Sequence, residues 1–244
     1  RIATIGGSAA PRAMIARLMD AGVDVRHAWG MTEMSPVGTV GGPPARWDSL
    51  DREEKLDLAG HQGRAAFGVE LRTVDDEGRV LPRDGVTSGR LMVRGAWVMR
   101  RYFRAEEDSI DSGGWFDTGD IAILHPDGSV QLTDRAKDVI KSGGEWISSI
   151  DLENAAIGCP CVAEAAAIGV PHPKWDERPL LLIVPTPGIE PSAERVMEAL
   201  RGKVAKWWLP DEILFVDALP HTATGKLSKK DLRDRYRDYR LPGT

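Results

Sequence analysis

The chain opens on a short apolar run, residues 2–5, followed by Gly6-Gly7 and then by Met14, Ile15, Leu18 and Met19 at helical spacing. This pattern predicts a strand, a glycine turn and a helix that Pro11 opens and Gly22 ends. From Gly63 to Thr133 the period shortens. Brief alternating runs are divided by Asp76-Glu77-Gly78, Arg83-Asp84-Gly85 and Pro126-Asp127-Gly128. The last of these turns stands between apolar residues 121–124 and 130–132, a hairpin signal, so antiparallel β structure in the form of a small barrel is expected here. Beyond it the pattern is mixed. It predicts helices over 149–157 and 192–206, strands over 162–170, 180–185 and 213–216, and a last helix from Ser228, with Asp231 at capping-box spacing. The fold class expected is therefore α/β and α+β. A boundary is expected in the charged segment from Thr133 to Asp138.

The 244 residues carry a formal charge of −5 with no basic stripe among aromatics, which argues against a nucleic-acid partner. The most apolar run, residues 180–184, is far shorter than a membrane span and is broken by Pro185. The first residues have no targeting layout and no initiator Met, which suggests a piece of a longer protein. Cys159 and Cys161 flank Pro160 with no Cys or His cluster at ligand spacing. They read as two thiols in a reducing compartment, and the location expected is cytoplasmic.

Four segments suit nucleotide and phosphate chemistry better than they suit a core. In Gly6-Gly7-Ser8-Ala9-Ala10-Pro11, missing side chains let backbone N–H groups approach a ligand, although a plain strand-to-helix turn accounts for them equally well. In Trp29-Gly30-Met31-Thr32-Glu33, a ring able to stack on a base precedes a hydroxyl for a phosphate oxygen and a carboxylate for magnesium, with a helix cap after a buried Trp as the alternative. Asp120 and Arg135 stand at the two ends of one hairpin, where both can reach the hydroxyls of a ribose or simply form a surface ion pair. Lys226 follows Thr224-Gly225 outside regular structure and is either a mobile point charge for an anion or a solvated loop lysine. The spacing of a P-loop is absent.

In this order the segments closely resemble the adenylate-forming superfamily of acyl-CoA synthetases, peptide adenylation domains and luciferases. The resemblance covers the whole chain, and residues 141–153 and 172–179 look most like bacterial medium- and long-chain fatty acyl-CoA ligases. It implies that residues 1–134 are the C-terminal part of a large AMP-binding domain, 135–138 a hinge with Lys137 at its pivot, and 139–244 a mobile α+β lid. It also implies activation of a carboxylic acid by ATP to acyl-AMP and transfer of the acyl group to CoA. Catalysis would fall to Lys226, Thr32 and Glu33, the last also holding Mg2+. Nucleotide binding would fall to Gly7, Ser8, Trp29, Gly30, Asp120 and Arg135, and the mouth for the CoA pantetheine to Gly143, Gly144 and Glu145.

Two positions depart from the family pattern, Trp29 where Tyr is commonest and His221 where a base is frequent. The phosphate-clasping loop of the family is missing from these residues, so the chain alone is expected to be inactive. The partners implied are fatty acid, ATP and CoA, with peripheral membrane contact and oligomeric state left open. Two alternatives remain, an adenylation domain that loads a carrier-protein thiol, against which residues 141–146 argue, and a non-catalytic nucleotide-binding module.

Overall fold

The computed structural model describes every residue except Ser8, Ala9, Thr224 and Thr244. It divides into two compact units, Arg1–Ala136 and Lys137–Thr244.

In the first unit β1 (Ile2–Ile5) pairs in parallel with β2 (Asp24–Trp29), and α1 (Arg12–Asp20) makes the crossover. The sheet continues antiparallel through β3 (Thr39–Val40) and β4 (Arg64–Ala65). Only Ile15 of the apolar stripe on α1 is buried, packing with Val25, Leu56 and Ala59. Leu56 and Ala59 lie on α2 (Arg52–Gly60), a helix the apolar pattern did not announce. Its start was nevertheless written as Asp51-x-x-Glu54. Asp51 accepts from the Glu54 N–H, and Glu54 accepts from the Asp51 N–H, both at 2.8 Å.

The second sheet runs β5 (Val69–Val74), β6 (Ser88–Gly95), β7 (Phe116–Leu124), β8 (Val130–Arg135), every pair antiparallel. It is open, which corrects the expected barrel. The outer edge of β5 is occupied by the Leu81 N–H donating to the Thr73 carbonyl at 2.9 Å. That of β8 is met by Gln62, whose N–H donates to the Val130 carbonyl, and by Gly63, whose carbonyl accepts from the Val130 N–H, both at 2.8 Å. Neighbouring loops thus take one end of each outer strand, and β5 and β8 do not pair to close a barrel.

The second unit is one sheet with helices on both faces. β9 (Ile140–Ser142) and β10 (Glu145–Ile147) form a hairpin, followed by α3 (Ser149–Ile157), β11 (Val162–His172), β12 (Asp176–Pro185), α4 (Ala193–Leu200), β13 (Glu212–Phe215) and α5 (Lys229–Arg235). β12 pairs with β11 along one edge and with β13 and the end of β9 along the other. The apolar run of β12 is a strand buried on both faces. Leu181 and Ile183 join Leu152, Val196 and Leu200 under α3 and α4, while Leu180 and Leu182 join Leu219 and Leu232 under α5.

Other elements differ from the expected bounds. α4 stops at Leu200 instead of 206, because Gly202 takes φ +76°. β12 starts at Asp176, its polar first turn paired with the end of β11. Ser228 accepts from the Asp231 N–H, but its own N–H donates to the Pro220 carbonyl at 2.8 Å, so half of the expected capping box forms.

Candidate functional site

At the end of β2 the chain reverses through Gly30 and a single 3-10 turn, Thr32–Met34, to return along Gly38, whose N–H donates to the Trp29 carbonyl at 2.9 Å. A Cβ on Gly30 would stand 1.9 Å from the Pro36 carbonyl oxygen, and one on Gly38 would stand 2.7 Å from the Trp29 ring. Both positions therefore admit only glycine. The Trp29 ring is 8% exposed among Met34, Val93 and Phe116. Its Nε1 donates to Asp120 Oδ2 at 2.9 Å.

Asp120, on β7, faces Arg135 at the end of β8 as its register partner, with Arg135 Nε 3.5 Å from Asp120 Oδ1. Burial pushes the Asp120 carboxyl up, while the Trp29 hydrogen bond and the Arg135 charge pull it back. One oxygen is fixed from inside by the indole, and the other looks toward a guanidinium that stays exposed. The hairpin thus turns a buried acid and an exposed base toward the same end of the sheet.

Thr32 is exposed, and the Glu33 carboxylate accepts from the Tyr102 hydroxyl at 2.8 Å. That bond, the largest influence on Tyr102, pushes its phenol up. Met99 N–H donates to the Glu33 carbonyl at 2.8 Å, so residues 99–102 hold Glu33 by both backbone and side chain. Tyr102 escaped the sequence reading because nothing in its spacing ties it to Glu33. Gly7 takes φ +85° with open space around it, a conformation that favours glycine. Ser8 lies outside the described residues.

In the second unit Lys226 sits in a loop closed by a bridge between His221 and Leu227. Thr222 N–H donates to the Lys226 carbonyl at 2.7 Å, and Lys226 N–H donates to Thr222 Oγ1 at 3.2 Å. The Lys226 side chain is exposed, and among the described residues its ammonium has no hydrogen bond or ion pair. Two contacts missed in the sequence hold the loop's ends. His221 Nε2 lies 3.2 Å from Glu164, and Lys229 Nζ lies 2.7 Å from Glu153, a pair with side chains only 10% and 12% exposed. Glu153 also accepts from the Ala167 N–H at 2.8 Å. Lys229 stands beside Lys230 in sequence, and no pattern distinguishes the first as buried.

Gly143 and Gly144 are the two-residue turn between β9 and β10, with φ +61° and +86°. A turn of this kind requires positive φ at both positions, so the hairpin by itself accounts for both glycines. Gly143, although exposed, also meets Trp175: its N–H donates to the Trp175 carbonyl at 2.9 Å, and an added Cβ would stand 2.9 Å from the Trp175 ring. Glu145 and Lys137 are exposed. Among the described residues no group of three or more His, Cys, Asp or Glu is placed to hold a metal, and no helix is long and apolar enough to cross a membrane.

Two family models match, the AMP-binding enzyme over residues 1–103 and the AMP-binding enzyme C-terminal domain over residues 151–226. The chain is 55% identical over 235 residues to a 3-methylmercaptopropionyl-CoA ligase of Ruegeria lacuscaerulensis, covering 96% of this chain and 44% of that protein. It is 50% identical to a medium-chain-fatty-acid–CoA ligase of Ectopseudomonas oleovorans, covering 97% and 44%. To a long-chain-fatty-acid–CoA ligase of Thermus thermophilus it is 46% identical, covering 96% and 44%. Among solved structures, ATP-bound MatB from Rhodopseudomonas palustris superposes with a TM-score of 0.81 at 30% identity, over 96% of this chain and 45% of that one. The anthranilate CoA ligase AuaEII in complex with anthranoyl-AMP does so with 0.82 at 29% identity, over 97% and 45%. The chain thus spans under half the length of the curated relatives it matches.

Proposed function

Because the chain belongs to the AMP-binding enzyme family, we propose that it is the C-terminal part of a CoA ligase for an aliphatic carboxylic acid of the fatty-acid class. In the first half-reaction the carboxylate attacks the α-phosphorus of ATP, the bond to pyrophosphate breaks and acyl-AMP forms. In the second the CoA thiol attacks the acyl carbonyl and AMP leaves. The relatives' names, a short thioether acid beside medium- and long-chain fatty acids, support the aliphatic class.

The observation that carries the reading is the Trp29–Asp120–Arg135 arrangement, an oriented buried carboxylate beside an exposed guanidinium. On this reading the pair receives the ribose hydroxyls, and Gly7, Ser8, Trp29 and Gly30 border the adenine. The Thr32 hydroxyl donates to a phosphate oxygen, and the Lys226 ammonium meets the charge that develops around phosphorus. Removing one such preorganised donor generally costs about 2.7 to 4 kcal/mol in the transition state. Glu33 offers the hard carboxylate oxygen that magnesium takes together with substrate phosphates, where the ion offsets phosphate charge. Gly143, Gly144 and Glu145 border the CoA arm, and Lys137 marks the hinge between the units. A cytoplasmic site accompanies this reading, as ATP and CoA are supplied there.

Titration of AMP into the chain, followed by NMR of the Trp29 indole N–H, tests the site. Saturable millimolar binding that Asp120→Ala abolishes is expected. Binding unchanged by that substitution would remove the ribose assignment.

A further inference from the structure

The chain has two cysteines, and the fold places them side by side. Cys159 Sγ and Cys161 Sγ lie 3.1 Å apart. They flank Pro160 in a tight turn closed by the Val162 N–H donating to the Cys159 carbonyl at 3.0 Å, with Pro160 at the position where its fixed φ suits such a turn. The turn joins α3 to β11. It is held from both sides, by the Cys159 N–H on the Ala156 carbonyl at 2.9 Å and the Thr186 N–H on the Cys161 carbonyl at 3.0 Å. The thiols are 4% and 1% exposed and pack against the core of α3, α4 and the sheet. Neither belongs to the nucleotide site.

We propose that Cys159 and Cys161 are a redox-modification site, a dithiol that a small peroxide converts to an intramolecular disulfide and a thiol reductant restores. A disulfide needs its sulfurs about 2.05 Å apart, so they must close by roughly 1 Å, within reach of a turn. The chemistry balances with hydrogen peroxide as oxidant. One sulfur, as thiolate, attacks a peroxide oxygen, the O–O bond breaks, and the departing hydroxide takes up the proton released as that thiolate formed, leaving a sulfenic acid and water. The other sulfur attacks the sulfenic sulfur, the S–S bond forms, the S–O bond breaks and a second water leaves. Burial and the neighbouring thiol push the Cys159 thiol up, which slows the first step and confines it to moments when the turn opens. Burial keeps bulky disulfides from the closed turn, and adjacency makes the second step intramolecular.

The test is intact-mass and peptide-mapping spectrometry of the purified chain in hydrogen peroxide without denaturant. The expected product lacks two hydrogens, maps to the peptide containing residues 159–161, and reverts with dithiothreitol. Cys159→Ser and Cys161→Ser should each instead take up oxygen, trapped as a dimedone adduct on the remaining cysteine. Three results would overturn the proposal: oxygen adducts on the unsubstituted chain without loss of two hydrogens, a disulfide that forms only in urea, or thiols still reduced when the exposed Met14 is already the sulfoxide.

Discussion

Glu153→Ala should destabilise the second unit by about 4 kcal/mol. The substitution leaves the Lys229 ammonium without its carboxylate, in a position where the two side chains are 10% and 12% exposed. Breaking a buried pair from one side costs about 3 to 5 kcal/mol, and the lower end applies here because a lysine this near the surface can reach water. The Ala167 N–H loses its acceptor as well, adding about 1 kcal/mol. Replacing both partners, Glu153→Met with Lys229→Met, removes the stranded charge and should cost only about 1 to 2 kcal/mol, the share of the Ala167 N–H and of the buried Ser149 hydroxyl that Lys229 also reaches. Urea unfolding combined with hydrogen exchange separates the two units and gives the coupling energy. α5 starts at Lys229, three residues past Lys226, so the amides of Thr222, Gly225 and Lys226 should also exchange faster in the single variant. Single and double substitutions that cost the same, or a single below about 1 kcal/mol, would refute the argument that this pair anchors the Lys226 loop.

Gly30→Ala should lower the melting temperature of the first unit by several degrees, since the new Cβ meets backbone at 1.9 Å and cannot be relieved by a rotamer; an unchanged melt would contradict the packing. Acid should weaken the same unit through His61, which burial above all, and then the charge of the stacked His125, lower to about 4. The neutral ring is the folded form, so this contribution is complete above about pH 6.5 and is lost as pH falls toward 4, about 2 to 3 kcal/mol in all. Urea midpoints measured across that window should show a drop that His61→Gln flattens, and parallel profiles would refute it. Tyr102→Phe should leave stability within about 0.5 kcal/mol, because the bond it loses is exposed, and should sharpen chemical exchange at the Glu33 side chain in NMR.

Most of the architecture was legible because the periods are clean. The run from Leu180 to Ile183 divides residue by residue between two cores, and Pro126-Asp127-Gly128 sits where β7 turns into β8. What escaped depended on partners distant in sequence. The open edges of the second sheet are taken by Gln62 and Leu81 in loops, so a pattern that reads only strands suggested closure. α2 has almost no apolar stripe and was not read from the sequence, although its capping-box spacing was there to find. In the site, Trp29, Asp120 and Arg135 were each visible as residue types. The bond from the indole to a carboxylate 91 residues on, which orients the acid, was not. Gly143 and Gly144 show the converse, a pair singled out for chemistry that the turn itself requires.

The central claim, that this chain supplies nucleotide and transition-state contacts to an acid-activating enzyme, is tested most directly by ATP–pyrophosphate exchange. The assay takes the longer protein with a fatty acid present, comparing it with its Lys226→Ala variant. Exchange should depend on the acid and fall on the order of a hundred- to a thousandfold in the variant, the usual loss for one preorganised charge contact. Exchange that ignores the acid, or that Lys226→Ala leaves intact, would contradict the account.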